Sequence, residues 1–319
     1  MRVSRDAGDE LVARGIKLRQ LALLVAIERS GQLSLAAGIM NITQPAASRM
    51  LADLERIVGV QLTQRHSRGV NLTLAGERLA ERARAMLRDL DIAGREVRDI
   101  DRGRVGSVHL GSVSGPSLDL VVPIVRGLER SEPHLRVRVD VAPSDRLAAE
   151  LLSGRLDLYL GRVPEGVDAT PFELSPIGPE PLSLIVGCDH PLAAGGIRDL
   201  RDCLDYDWVM QPSGSMLRGA VERYLIDRGL SLPPTVISTS SLMLTLAFVL
   251  RSQAVGVMST SAAQLFAVEA RNAPVVRLEV AGDLCVAPYS IVTLRDHQPT
   301  PAAQIFLKIL RDELRQRRG

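Results

Sequence analysis

The stretch NITQPAASRMLADLE, residues 41–55, decides how the first third of the chain is read. Asn41 and Ile42 form a tight turn by pattern, and Thr43 starts a helix. Pro45 falls in that helix's first turn, where its missing N–H costs little. Placed at about 100° per residue, Ala47, Met50, Leu51 and Leu54 share one side. Pro45, Ser48, Arg49 and Ala52 share the opposite side, with Gln44 at its edge. A Ser–Arg pair alone suits any solvated helix face, so the flanking segments must decide.

Upstream, LRQLALLVAIE (18–28) reads as a helix with Leu18, Leu21, Ala22 and Val25 on one face. Gly31 ends it, and Ser34 is placed to cap a second, short helix. A short helix, a tight turn and a helix with an inward apolar stripe are in helix-turn-helix order. The outward face then offers an amide, a hydroxyl and a guanidinium, groups that suit base edges and phosphates, and the small Ala46 and Ala52 allow close approach to a groove. The helix N-terminus also favours a phosphate. Downstream, VQLTQRHSRGVNLT (60–73) reads as a hairpin about Ser67-Arg68-Gly69. Arg65, His66 and Arg68 at such a tip would reach a phosphate backbone or the minor groove; a solvated basic turn is the plainer alternative.

With those motifs in place, residues 18–77 resemble the winged helix-turn-helix of LysR-type transcriptional regulators. LRQL, LAA, TQPAASR, LE…GV, R…RGV and LT.AGE follow one another at the family's spacing. The resemblance implies DNA contact by Gln44, Pro45, Ser48 and Arg49 from a recognition helix that Thr43 opens, and by Arg68 from the wing; Arg65 completes the expected set. The chain departs from the family's usual aromatics near Leu24 and Leu33 and at Thr63, positions that read as core.

From Leu72 to Arg104 there is no proline and charge is dense. Leu79, Ala83, Met86, Leu90, Ala93, Val97 and Ile100 recur at alternating steps of four and three, a heptad seam that pairs with another helix; a single helix packed on its own domain is the alternative. In the similar family this is the dimerising linker helix. Beyond it, SVHLGSV (107–113), RVRVDVA (136–142) and LDLYLG (156–161) alternate with helical patterns, which implies a parallel sheet. LSLIVG (182–187), WVMQ (208–211), AVGVMS (254–259) and VVRLEV (275–280), with helices at 216–229 and 241–251, make a second set. CVAPYSIVT (285–293) and a final helix (302–314) return to the first, giving a clamp with crossings near Pro181 and Cys285.

The expected fold is therefore α/β overall: a winged helix-turn-helix (14–74), a dimerising linker helix (75–104) and a two-lobed α/β effector domain (105–319). That last part resembles LysR-type effector domains and periplasmic binding proteins, with lobe I at 105–181 and 285–319 and lobe II at 182–284. Ser112, Ser114, Ser144, Arg162, Ser213, Ser215 and Ser240 gather at strand C-terminal ends, where small ligands bind in open α/β sheets. Hydroxyls, amides and one Arg suit a small anionic effector, although each serine alone reads as a helix cap.

Composition narrows the classes further. Residues 1–104 hold 18 Lys/Arg against 13 Asp/Glu, and the remainder 21 against 24, so a basic head sits on a slightly acidic body. There is no signal-peptide core at the N-terminus and no apolar run long enough for a membrane span, which makes cytoplasm the default. Cys188, Cys203 and Cys285 fit neither a disulfide framework nor zinc. The five histidines are scattered without metal-ligand spacing, and His109 reads as core. No GxGxxG, P-loop, HExxH or GxSxG motif is present. The expectation is a DNA-binding regulator with no catalytic residue, metal or cofactor, whose partners are double-stranded DNA, a small-molecule effector, further copies in a homodimer or homotetramer, and RNA polymerase. The alternatives are a cytoplasmic small-molecule-binding protein or an enzyme carrying a DNA-binding head, or a nucleoid protein.

Overall fold

The computed structural model describes residues 9–66, 69–101, 106–194, 199–267, 273–295 and 297–317. The chain divides near residue 103 into two compact units.

The first unit holds α1 (Asp9–Ala13), α2 (Leu18–Ser30), α3 (Leu33–Ile39), α4 (Gln44–Val58), a hairpin of β1 (Thr63–His66) and β2 (Gly69–Leu72), and the long α5 (Leu74–Asp101). α2 is its hub. Leu21, Leu23, Leu24, Val25 and Ile27 are all buried, because α3, α4 and α5 surround the helix instead of covering one stripe. Leu18, expected on the inner face, is 48% exposed at the first turn. Leu24 and Leu33 fill core positions without an aromatic, and Thr63 is half-buried. α3 starts at Leu33 after Gln32, so Ser34 lies in the first turn and does not cap it. Asn41 takes the left-handed conformation at φ 51°, which an Asn tolerates, and Ile42 N–H donates to Ala37 O at 3.0 Å to close the turn.

The composite motif has local physical causes. Gln20 Oε1 accepts the Lys17 N–H at 2.9 Å, which fixes the start of α2. Glu55 Oε1 accepts the N–H groups of Leu62 and Thr63 at 2.9 and 3.1 Å, holding the entry to the hairpin. Thr73 donates its N–H to Leu62 O at 2.9 Å, and its hydroxyl accepts the Gly76 N–H at 3.1 Å. At Gly76 a Cβ would overlap the Leu62 carbonyl oxygen, so only glycine lets α5 start there. In α5, Ala80 and Ala83 are buried in the head's core, and Arg84 pairs with Glu28 of α2. Further along, Met86, Leu90 and Val97 are 52%, 52% and 66% exposed.

The second unit is built on nine strands in the order β4-β3-β5-β11-β6-β9-β7-β8, with β10 also on β6. β3 (Gly106–Ser112), β4 (Leu135–Val141) and β5 (Leu158–Gly161) are parallel. So are β7 (Trp208–Met210), β8 (Val236–Ser238) and β9 (Val255–Ser259). β6 (Phe172–Gly187) and β11 (Cys285–Leu294) pair antiparallel with each other and join the two halves; β10 is Val275–Leu278. The three strands expected to be parallel are so, and β11, expected to return to them, joins antiparallel to β5. The expected short strand 182–187 is the end of the sixteen-residue β6. Pro176, Pro179 and Pro181 hide its first part in the sequence, and register shifts occur opposite them in β11.

The helices are α6 (Ser114–Pro116), continuing through a π-helical stretch Ser117–Val121 into α7 (Val122–Ser131), then α8 (Ser144–Leu152), α9 (Met216–Asp227), α10 (Leu242–Arg251), α11 (Thr260–Phe266) and α12 (Pro301–Gln316). One core joins Val108, Leu110, Leu158 and Ile291 to Phe306 and Leu310 of α12; another gathers around Trp208, Val255 and Val221. His109 points away from the first core and is half-buried, because Val108 and Leu110 take the inward positions of β3.

Candidate nucleic-acid interface and effector site

Gln44 and Pro45, both exposed, and the half-buried Ser48 line a shallow groove of about 770 Å³. Its other walls are Gln32, Leu33 and Ser34 at the start of α3, and His66, Gly69 and Val70 of the hairpin. Arg49 is exposed on the same helix. Thr43 is the N-cap residue of α4 and exposed, but its hydroxyl makes no capping bond. α4 carries no acidic residue in its first turn, so its N-terminal partial positive charge is not offset within that turn. The hairpin is tied to the helices: Val70 N–H donates to Gly31 O at 2.9 Å, and a Cβ on Gly69 would overlap that oxygen. His66 Nδ1 lies 2.7 Å from Gly69 O across the turn. Arg68 lies outside the described residues, as does the Arg65 side chain. Gln32 and Ser34 were missed as groove residues, because only the three-dimensional approach of α3 to the hairpin brings them there.

In the second unit the expected residues fall into two groups. Ser112 ends β3 and is fully buried; Ser114 opens α6; Ser144 opens α8 after β4. Arg162 follows β5, and its N–H donates to Ser144 Oγ at 3.2 Å. The Arg162 side chain is 8% exposed. Its Nη1 meets Glu180 Oε2 at 2.9 Å and its Nε donates to Ala287 O at 2.7 Å, so this one residue grips both crossing strands. Nη2 is buried and meets no acceptor among the described residues. The guanidinium lies 5.8 Å from the ring centre of Tyr289, whose phenol is pushed up to about 12 by burial, then by the charges of Asp119 and Glu180. Burial likewise raises the pKa of Tyr159, whose hydroxyl donates to Arg162 O at 3.0 Å. Both phenols stay neutral.

Ser213, Ser215 and Ser240 lie after β7 and β8. Ser213 and Ser240 are exposed, and Ser215 caps α9 by accepting the Arg218 N–H at 3.2 Å. α6 packs on α11 and β9, with Gly115 against Ser259 and Glu180 so closely that a Cβ would overlap the Glu180 carboxylate. Glu180, Ser183, Ser259 and Thr260, which the sequence reading did not single out, lie around this packing. Ser183 and Thr260 hydroxyls lie 2.9 Å apart, and Ser259 caps α11. The MSTS stretch (258–261), which ends β9 and opens α11, carries the same strand-end signal.

Residues 18–77 match the bacterial regulatory helix-turn-helix protein model of the lysR family, and residues 101–315 match the LysR substrate binding domain. The chain belongs to the LysR family of transcriptional regulators. This LysR-type regulator is 43% identical over 252 residues to the HTH-type transcriptional regulator GbpR of Rhizobium radiobacter, covering 78% of this chain and 83% of that one. It is 37% identical to GbpR of Azospirillum brasilense over 93% of this chain and 86% of that one. Among solved structures, full-length CbnR complexed with its target DNA superposes with a TM-score of 0.55 at 23% identity, over 93% of this chain and 99% of CbnR; at that identity the likeness is one of fold. The LysR-type regulator is thus a DNA-binding transcriptional regulator with an effector-binding domain, and not an enzyme. No helix among the described residues is long and apolar enough to cross a membrane.

Proposed function

We propose that this regulator acts in the cytoplasm as a homodimer or homotetramer joined through α5. It reads operator bases with Gln44, Pro45, Ser48 and Arg49, with Thr43 at the helix start and Arg65 and Arg68 at the backbone or minor groove. A small anionic effector, bound between lobes 105–181 with 285–319 and 182–284, tunes its contact with operator and RNA polymerase. One observation carries the DNA part: three of the four recognition residues line a single groove with the hairpin. In this reading its domains are 14–74, 75–104 and 105–319.

Support for the effector comes from Arg162, whose Nη2 is a buried donor with an unused bond. An effector carboxylate would share the guanidinium with Glu180, near the hydroxyls of Ser112, Ser114, Ser144, Ser259 and Thr260, while Ser213, Ser215 and Ser240 contribute from the rim. A thermal-shift panel of small carboxylates and neutral polyols tests the charge. Stabilisation by carboxylates alone is the expected result; stabilisation by neutral compounds alone removes the anionic part of the reading and leaves operator recognition intact.

A further inference from the structure

α6 and α7 are joined by a turn wider than an α-helix. The Val122 N–H donates to Ser117 O, five residues back, where an α-helix reaches back four. Pro123 is the cause. In an α-helix the Asp119 carbonyl would accept the N–H of residue 123, but proline has no N–H and its ring presses on that carbonyl. Arg317, at the end of α12, takes up what is released. Its Nη2 donates to Asp119 O at 2.8 Å and its Nη1 to Asp119 Oδ2 at 3.0 Å. Its Nε donates to Glu313 Oε1 at 2.9 Å, so α12 itself holds the guanidinium in place.

An exposed ion pair stabilises little by itself, and Asp119 and Arg317 are both partly exposed. The bond to the carbonyl is different, since it supplies the donor that Pro123 withholds. The wide turn also decides where its side chains go. In an α-helix Leu118 and Val121, three apart, would share a face. Here Val121 enters the core around Phe306 and Leu310, together with Leu120 and Ile124. Leu118 packs instead against a different cluster, which holds Ile185, Met258 and Ala262.

We propose that Arg317 is a positioning residue: by holding the wide turn it keeps Leu118 on the second lobe and ties the two lobes together just beyond Ser114. Lobe closure is the motion that a ligand between lobes biases, so this tie sets the resting state on which an effector acts. The inference rests on the two-lobed reading above and not on the charge of the effector. It is also independent of the α5 seam.

Hydrogen exchange on the full chain, without ligand, tests it. Arg317→Ala should speed amide exchange in residues 117–124 and across the lobes in α11. The rise should be roughly tenfold or more, the factor that one hydrogen bond to a charged group sets on local opening. Peptides of α9 are the control and should not change. Pro123 is exposed, so Pro123→Ala leaves the packing alone while it restores the missing N–H. In that background Arg317→Ala should change exchange little. Arg317→Lys keeps the charge but loses the fork that reaches both oxygens, and should recover only part of the protection. An equal rise in both backgrounds, no rise in either, or full recovery by lysine overturns the proposal. A rise that stays within 117–124, or one that spreads to α9, overturns it as well, since Leu118 would then not be what ties the lobes.

Discussion

At the scale of single residues, burial separates two arginines that look alike in the sequence. Arg49 is exposed on α4, so its side chain is available to a base edge or phosphate and its loss leaves the fold alone. Arg49→Ala should weaken specific operator binding by about 1–3 kcal/mol, the range for a base-edge contact; an unchanged gel-shift affinity on the cognate site would sink that role. Arg162 is buried and already committed to Glu180 and Ala287. Glu180→Ala would strand a buried guanidinium, and removing one partner of such a pair costs roughly 3–5 kcal/mol. Replacing both with methionine should cost much less. Urea unfolding of the single and double variants decides it, because equal losses would mean that the pair contributes only packing.

At the scale of elements, the glycine of LT.AGE is where motif and geometry meet. Gly76 gives α5 its starting point against the Leu62 carbonyl, and α5 in turn seals the head with Ala80 and Ala83. Gly76→Ala would normally strengthen a helix by about 1 kcal/mol. Here it should lower the melting temperature of the head, since the oxygen it meets is backbone and cannot swing away; a raised melting temperature would show that the helix start can shift. Most elements were legible in the sequence, because hydrophobic period and caps are local properties. The recognition helix, the hairpin and the alternation of strand and helix all lie where those signals put them. β6 was only half legible, since its prolines read as loop while its pairing with β11 is fixed by residues more than a hundred positions away. The candidate sites divide the same way. Gln44, Pro45 and Ser48 could be read off one helix, whereas Gln32, Glu180 and Ser259 enter only through tertiary approach.

At the scale of the molecule, the unpartnered seam of α5 bears on how DNA is read. Met86, Leu90 and Val97 are each more than half exposed, and the flanking helix is dense with charge. Such a stripe is stable in water when a second helix covers it. A regulator dimerised there carries two recognition helices, and each needs its own major-groove face. Two half-sites must then lie about one helical turn, 10–10.5 base pairs, or a multiple of it apart. The second head binds at an effective concentration set by its tether, so holding both half-sites multiplies affinity by about 10²–10⁴. Inserting about half a turn between the half-sites turns one away from its head and should forfeit most of that gain, while a full-turn insertion should restore part of it. Gel shifts on the three spacings would show this as a loss and a partial recovery. Equal affinity on all three would mean that each head binds alone and that the α5 seam does not set the geometry of recognition.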